Sequence, residues 1–306
     1  MKCRFCVLLC VSVLMLGGTQ LCNVFAKAPK TAKIAFHSTR DRNLEIYIMN
    51  PDGSKQINLT WHASRDFYPA WSPTGEHIAF NSNRNGVYDI YLMDADGGNV
   101  QKAFRHLALR ECPDWSPDGQ RLAYLRRDDW GIYISTIDGE QEERVASPGF
   151  LGGCPSWSPD GSEIVFASTT KLAGHQLKVI NLQTRKERVL LSGGKLGILW
   201  GAVWSPDATR IAFYWSGKGV YVVNSDGKGL KRLTDGVYPA WSPLGDELVY
   251  QGNGHLFKFN IGNRRSTRLT RGETANSGAD WFDPELLPVQ PQTSLLTTRW
   301  AAIKEK

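Results

Sequence analysis

The segments Trp115-Ser116-Pro117-Asp118-Gly119 and Trp157-Ser158-Pro159-Asp160-Gly161 are the same five residues, 42 positions apart in the chain. The pattern returns with changes at four other tryptophans, so the six anchors are Trp71, Trp115, Trp157, Trp204, Trp241 and Trp281. Successive anchors are 44, 42, 47, 37 and 40 residues apart, a period typical of a four-stranded propeller blade. Helical repeats of similar length exist, so the interior of the repeat must distinguish the two.

The residues between the anchors favour β-strands. After Trp71 come the apolar segments 78–80 and 90–93, and after Trp204 come 211–213 and 220–223. These segments are rich in β-branched and aromatic residues and are bounded by Gly, Pro and Asp. No part of the repeat keeps a helical period for three turns. The chain is therefore predicted to be an all-β, six-bladed β-propeller with four-stranded blades, in which the anchor tryptophans are structural and wedge between blades.

The two ends of the repeat region complement each other. Trp281 is followed by no further strand of a blade, whereas three strand-like segments, residues 34–36, 45–49 and 56–60, precede the first anchor. We expect these N-terminal strands to pair with the Trp281 strand and complete a sixth blade. Such a closure removes the unpaired strands that a five-bladed ring would leave at its ends.

The first 26 residues have the pattern of a secretory signal peptide. Lys2 and Arg4 precede an apolar segment, residues 7–16, and cleavage is expected after Ala26. The alternatives are an uncleaved anchor, for which the apolar segment is short, and a lipoprotein signal, which the leucines before Cys10 and Cys22 do not suit. The expected organisation is a signal peptide at 1–26, a propeller at 27–284 and a tail with a short helix at 285–306. A periplasmic or otherwise exported location follows, with no transmembrane segment in the mature chain.

Cysteine usage leaves one pair in the mature chain. Four of the six cysteines lie in the signal peptide, and Cys112 and Cys154 remain, each three residues before an anchor. A pair in an exported protein suggests a disulfide. Equivalent positions on adjacent inner strands, however, are expected roughly 8–12 Å apart, beyond the ~7 Å that a bridge allows. We therefore expect two buried thiols, and no metal site, because no Cys-x-x-Cys or histidine accompanies them.

Composition and charge exclude one class of partner. The chain is 42% hydrophobic and 22% charged, which is close to the average for soluble proteins. Its formal charge of +6 falls to +4 when Lys2 and Arg4 leave with the signal peptide, and the basic residues are interleaved with acidic ones. Nucleic-acid binding is therefore not expected.

The repeat resembles the TolB-type propeller repeat. The likeness rests on the unit Pro-x-Trp-Ser-Pro-Asp-Gly, followed by Ile-Ala-Phe, a loop with Ser and Arg, and Asp/Glu-Ile-Tyr before a turn. Its best copies are residues 69–97 and 37–53, and the likeness covers residues 33–284. The resemblance implies the propeller fold and a periplasmic protein that binds envelope partners. TolB carries an α/β domain ahead of its propeller, whereas here residues 27–32 separate the signal peptide from the first strand.

The sequence carries no recognisable catalytic motif. It contains no Gly-x-Ser-x-Gly elbow, no His-Glu-x-x-His and no nucleotide-binding glycine loop. A metal-dependent lyase of related repeat type would need several histidines on one face, and only His37 and His175 lie near the expected loops. The sequence therefore assigns no catalytic residue, no metal and no cofactor.

Blade topology indicates where a site would lie. Loops between blades and loops between the second and third strands emerge on one face, here named the loop-rich face, and the opposite face carries the Gly turns. Mixed charges with tryptophans at intervals make this face the candidate partner-binding surface, since Arg and Trp are typical anchors of protein interfaces. Its candidate residues are Arg40, Asp41, Arg65, Asp66, Arg84, Arg110, Glu111, Arg127, Asp128, Asp129, Trp130, Trp200 and Trp215. Within their own hairpins, Arg84 is expected to pair with Asp89, and Arg40 with Glu45.

We therefore expect an exported, non-catalytic binding propeller that engages a protein partner in the cell envelope and is monomeric. A polysaccharide or a small ligand is the other class of partner considered. One alternative is a carbohydrate-active enzyme, a lyase or glycosidase, with paired carboxylates among Asp41, Asp66, Glu111, Asp128 and Asp129. A second alternative is a propeller that docks onto, or gates, a separately encoded hydrolase.

Overall fold

Six antiparallel sheets of four strands form a ring in the computed structural model, which describes residues 26–149, 153–194, 197–272 and 274–287. Each sheet is one blade, and the chain is an all-β, six-bladed propeller, as the repeat predicted. The anchor tryptophans lie on the inner strands. Each inner strand runs from the loop-rich face towards the face that carries the Gly turns, which places the repeated turns of the five blades that carry them at the same end.

The strands of each blade are as follows, with the inner strand first. The closing blade, blade 6, contains β24 (Asn276–Phe282) with β1 (Lys33–Ser38), β2 (Glu45–Met49) and β3 (Ile57–Asn58). Blade 1 contains β4 (Asp66–Trp71), β5 (His77–Ser82), β6 (Asp89–Asp94) and β7 (Gln101–Lys102). Blade 2 contains β8 (Arg110–Trp115), β9 (Arg121–Arg126), β10 (Gly131–Thr136) and β11 (Glu142–Ala146). Blade 3 contains β12 (Ser156–Trp157), β13 (Glu163–Thr170), β14 (Gly174–Asn181) and β15 (Glu187–Gly194). Blade 4 contains β16 (Leu199–Trp204), β17 (Arg210–Trp215), β18 (Gly219–Asn224) and β19 (Lys231–Thr234). Blade 5 contains β20 (Val237–Trp241), β21 (Glu247–Gly252), β22 (His255–Asn260) and β23 (Arg265–Arg268).

The ring closes through blade 6, as the two ends of the repeat region indicated. Strand β1 pairs antiparallel with β24, and Ile34 lies opposite Trp281. The N–H of Thr39 also donates to the carbonyl of Ala275, at 3.0 Å. Strands from the two ends of the propeller therefore share one sheet, which leaves neither end with an unpaired half-blade.

The repeated Ser-Pro-Asp-Gly segment forms the tight turn that its residues favour. In blade 2 the N–H of Gly119 donates to the carbonyl of Ser116 at 2.8 Å, and Gly119 has a φ of 67°. The Asp118 carboxylate accepts from the N–H of Gln120 at 3.0 Å, which satisfies a donor inside the turn. The glycine supplies the left-handed backbone and the aspartate caps the turn.

The anchor tryptophans pack between blades. Five of them, Trp71, Trp115, Trp157, Trp204 and Trp241, are buried. The indole N–H of Trp115 donates to the Ala70 carbonyl of the preceding blade, and that of Trp241 donates to Val203, both at 3.1 Å. Each such indole therefore adds a hydrogen bond between blades to the apolar area that it buries.

Cys112 and Cys154 form a disulfide, and the expectation of two thiols was wrong. Their Cα atoms are 5.2 Å apart, within the range that a bridge requires. The expectation assumed regular strands, but β8 has a bulge between Glu111 and Asp114 and Cys112 has a φ of 57°. Strand β12 begins only at Ser156, so Cys154 lies outside the ladder and is free to approach blade 2.

The proposed signal peptide and tail lie almost wholly outside the described residues. Residues 1–25 and 288–306 belong to that part of the chain, so neither prediction is tested. The end of blade 6 is followed by a short 3-10 helix, Pro284–Leu286, whose N-cap Asp283 accepts from the N–H of Glu285. Among the described residues, no helix has the length and hydrophobicity to cross a membrane.

Candidate functional site

A cavity of about 330 Å³ runs along the propeller axis and is lined by residues of all six inner strands. This central channel is shaped by a feature that recurs three residues before the anchors. Tyr68, Cys112, Gly201, Tyr238 and Gly278 occupy that position and have φ values between 51° and 59°. A bulge or register shift interrupts the inner strand of each of these blades. Because a bulge re-aims a side chain, these positions line the channel near the loop-rich face.

The mouth of the channel on the loop-rich face is aromatic. Tyr68, Tyr238 and Trp200 line it, and Tyr214 packs edge-to-face on Tyr238 with ring centroids 5.2 Å apart. Burial, with the neighbouring Tyr238 hydroxyl, raises the pKa of both Tyr68 and Tyr214 above the usual range of a phenol. These phenols therefore stay protonated at neutral pH and can donate hydrogen bonds.

His37 packs against Tyr68 and accepts a hydrogen bond from its backbone. The backbone N–H of Tyr68 donates to His37 Nδ1 at 3.4 Å, and the two rings meet edge-to-face at 5.7 Å. Burial lowers the pKa of His37 to about 4, so the imidazole is neutral at physiological pH and can accept this hydrogen bond. A Cβ at Gly278 would lie 2.7 Å from the His37 ring, so glycine allows this packing.

Three of the predicted partner-binding residues lie together beside the channel mouth. Glu111 pairs with Arg127 at 3.2 Å, and the Arg127 guanidinium lies 4.5 Å from the centroid of the Trp130 ring. Burial raises the pKa of Glu111. The Glu111 carboxylate is close enough to help raise the pKa of Tyr68, so this charged group adjoins the aromatic mouth.

Two of the predicted residues are buried and are not available to a partner. Asp66 is 0% exposed and pairs with Arg84 at 2.9 Å, whereas Arg110 is 5% exposed and pairs with Asp89 at 3.1 Å. The expected Arg84–Asp89 pair was therefore wrong. The reason is topological, since Asp66 begins the inner strand of the same blade and Asp89 is engaged by the next blade.

The other predicted residues are spread over the face. Arg40 donates to Ser38 Oγ and to Asn276 Oδ1, each at 3.0 Å, rather than to Glu45, so that expectation was also wrong. The Arg65 side chain is exposed. Trp200 lines the channel, and Trp215 lines a separate cavity between blades 4 and 5.

The carboxylates named for a carbohydrate-active enzyme each have a different partner. The Asp41 carboxylate accepts hydrogen bonds from the Tyr47 hydroxyl and from the Asn58 side-chain amide, the second at 2.7 Å. Asp128 pairs with Arg126, and Asp129 with Tyr133 and Arg144. With Asp66 and Glu111 also paired, all five act within local ion-pair or hydrogen-bond networks. In the described part of the chain, no group of three or more His, Cys, Asp or Glu side chains is arranged to hold a metal ion.

The channel holds two carboxylates that the sequence analysis missed, Asp114 and Asp280. Asp114 accepts from the N–H of Trp157 at 2.7 Å, and Asp280 accepts from the N–H of Trp71 at 2.6 Å. Each thus bonds the backbone of the next blade. Burial raises the pKa of both carboxyls, and the charge of Asp280 adds to the shift of Asp114, whose pKa is about 7. Their signal in the sequence was an aspartate directly before an anchor tryptophan.

This shift predicts a pH-dependent stability. Because the folded pKa of Asp114 lies above the unfolded value of about 4, folded protein holds a proton that unfolded chain has lost, so stability falls as pH rises from about 4 to about 7. We expect Asp114→Asn to gain stability relative to the native protein across that interval, by up to about 1.4 kcal/mol per pH unit. Urea unfolding at several pH values measures this. Asp118→Asn, at an exposed turn carboxylate, is the control, and a difference for Asp114→Asn that does not vary with pH would contradict the prediction.

The sequence analysis also missed Tyr68, Tyr214 and Tyr238, which form most of the aromatic mouth. Tyr68 and Tyr238 share a place in the repeat with the two cysteines, three residues before an anchor. That shared position was visible in the sequence. The direction in which these side chains point was not visible, because a bulge changes the alternation of side chains that a regular strand would show.

Comparison with known proteins finds a matching family model and solved structures of similar fold. The family model described as the TolB beta propeller domain matches residues 18–195 and 87–277 of the chain. Among solved structures, TolB from Acinetobacter baumannii is 22% identical with a TM-score of 0.73, and the match covers 82% of this chain and 66% of that one. This chain thus spans just under two thirds of that TolB.

Two further structures are similar in fold. A protein assigned as TolB from Agrobacterium tumefaciens is 19% identical, with a TM-score of 0.62 and coverage of 82% of this chain and 98% of that one. An oligogalacturonate lyase from Vibrio parahaemolyticus is 12% identical, with a TM-score of 0.53 and coverage of 78% and 72%. At these identities the likeness concerns the fold alone. No sequence among curated proteins matches the chain.

Proposed function

The chain belongs to the family of TolB beta propeller domains, and from this premise we propose that it is an exported, non-catalytic binding propeller. Its partner is a protein of the cell envelope, which docks on the loop-rich face at the mouth of the central channel. The single observation that carries this proposal is the mouth itself, where Tyr68, Tyr238 and Trp200 line an open cavity beside the Glu111–Arg127 pair.

The chemistry of the mouth suits a protein partner. Tyrosine, tryptophan and arginine are the residue types that carry most of the binding energy at protein interfaces. The phenols of Tyr68 and Tyr214 remain protonated, so they keep hydroxyl donors at the mouth. The cavity of about 330 Å³ is large enough for a few side chains, so the partner would insert a short segment rather than a folded domain.

Export is supported by two independent features. Residues 1–26 have the charge and hydrophobicity pattern of a secretory signal. The chain also contains the Cys112–Cys154 disulfide, and disulfides persist in oxidising compartments but are rare in cytosolic proteins. The mature protein would then begin at Lys27, which the mass of the purified protein can test.

The experiment is capture of partners on tagged mature protein from the native envelope, followed by quantitative mass spectrometry. We expect Glu111→Lys to weaken the captured complex by at least about tenfold, because it reverses a charge at the mouth and frees Arg127. Asp226→Lys is the matched control, since it reverses an exposed charge in a turn of the opposite face. Equal capture by native protein and both variants would overturn the proposed docking site.

A further inference from the structure

A second cavity, of about 440 Å³, lies between blades 4 and 5 on the loop-rich face. It is bounded by the end of β17, by the loops 216–218 and 235–236, and by the turn 252–254. It shares no lining residue with the central channel. Its volume is within the range of small-molecule sites, and nothing in the proposed function uses it.

One wall of this cavity is aromatic. Trp215 is partly exposed, and its indole is fixed by Tyr221, with centroids 5.6 Å apart, and by Gly197, where any Cβ would overlap the ring nitrogen. Tyr250 and Phe257 of blade 5 also line the cavity, and their rings stack with centroids 5.5 Å apart. A rigid ring with an electron-rich face attracts the slightly positive C–H groups of a ligand.

Two of the glycines that line the cavity lie where backbone segments approach closely. Gly219 and Gly236 have φ values of 100° and 117°, and a Cβ at either position would collide with backbone, at Thr234 O and Gln251 O respectively. No other residue fits both the conformation and the space. Glycine at these two positions therefore lets the neighbouring backbone segments approach each other closely at the cavity.

The polar side chains of the cavity leave one charge uncompensated. Asp235 is engaged by Arg232, whereas the Lys218 ammonium makes no ion pair within the described chain and lies 4.0 Å from the centroid of the Trp215 ring. The side-chain amides of Gln251 and Asn253 also line the cavity, where they can donate and accept hydrogen bonds. An ammonium without an ion pair and two side-chain amides, all next to an aromatic plane, suit a ring that bears hydroxyls and one carboxylate.

We propose that this cavity binds a sugar acid, with a pyranose ring against Trp215, its carboxylate on Lys218 and its hydroxyls on Gln251 and Asn253. Lys218 is exposed and sits over the indole in the free protein. Because this exposed side chain is long and flexible, its ammonium can leave the indole for the carboxylate of a ligand, and the ring face then becomes available to the sugar.

The test uses sodium D-glucuronate and its neutral counterpart D-glucose as probes, titrated into the mature protein and followed by saturation-transfer NMR. We expect saturable glucuronate binding, up to about fivefold tighter than glucose binding. Lys218→Met keeps the aliphatic stem and should equalise the two sugars, whereas Trp215→Leu should weaken both. Trp61→Leu is the control, since Trp61 is 74% exposed and lies outside the cavity.

Lys218→Met alters an exposed side chain and keeps the proposal falsifiable if Trp215→Leu does not fold. Absence of saturable glucuronate binding, or glucuronate binding that Lys218→Met leaves unchanged, would overturn the proposal. Neither result would bear on partner capture, which depends on Glu111 at the channel mouth.

Discussion

Replacing Cys112 and Cys154 together by alanine is expected to lower the free energy of unfolding by about 4 kcal/mol. The disulfide closes a loop of 42 residues, and the loss of chain entropy that it imposes on the unfolded state has about that magnitude for a loop of this length. It also joins the inner strand of blade 2 to the segment that enters blade 3. Equilibrium urea unfolding of the mature protein measures the change.

Reduction provides an internal control for this prediction. Native protein in excess dithiothreitol should unfold at the midpoint of the double variant, and the reductant should leave the variant unchanged. A double variant that unfolds at the same urea concentration as oxidised native protein would contradict both the bridge and its stabilising role.

Arg110→Met is expected to destabilise the protein by about 3–5 kcal/mol, because it removes the buried guanidinium that pairs with a buried carboxylate. The Arg110 guanidinium donates to both oxygens of Asp89, at 3.1 and 3.3 Å, and lies 4.4 Å from the centroid of the Phe104 ring. Asp89 is 0% exposed and would keep Lys102, at 3.3 Å, and the N–H of Ile90, at 2.9 Å. Thermal and urea unfolding of the variant measure the loss.

The matched control is Arg185→Met, which breaks the exposed ion pair with Glu143. Exposed pairs contribute between 0 and about 1 kcal/mol, so this variant should unfold close to the native protein. Equal destabilisation by Arg110→Met and Arg185→Met would show that the buried pair is not the stabilising contact described here.

The fold could be predicted from the sequence because its information is periodic. Six tryptophans at a blade-length spacing, with alternating apolar segments between them, indicate blades and their number. Three strand-like segments before Trp71, and no predicted strand of a blade after Trp281, indicate how the ring closes. These features depend on local residue patterns and on the count of strands, both of which can be read without coordinates.

The site could be predicted only in part, because it depends on departures from regular strands. The loop-rich face and the group Glu111, Arg127 and Trp130 follow from topology. The approach of Cys112 to Cys154, and the turning of Tyr68 and Tyr238 into the channel, depend on bulges that change which way a side chain points.

Ion pairing was the least predictable feature. Arg84 and Asp89 face each other along one hairpin in the sequence, yet each pairs with a residue from another strand, Asp66 and Arg110 respectively. A buried carboxylate takes the partner that compensates its lost hydration best, and that partner is set by how strands and blades pack. Sequence separation carries no information on this choice.

Site-specific photo-crosslinking in the native envelope tests the proposed docking site most directly. A photoreactive residue at Arg127, which is exposed beside Glu111 at the channel mouth, is compared with one at Leu244, which is 70% exposed in a turn of the opposite face. We predict a defined protein adduct at position 127 that Glu111→Lys removes, and none at position 244. An adduct at 244 without one at 127 would contradict the proposal that this propeller binds its partner through the loop-rich face.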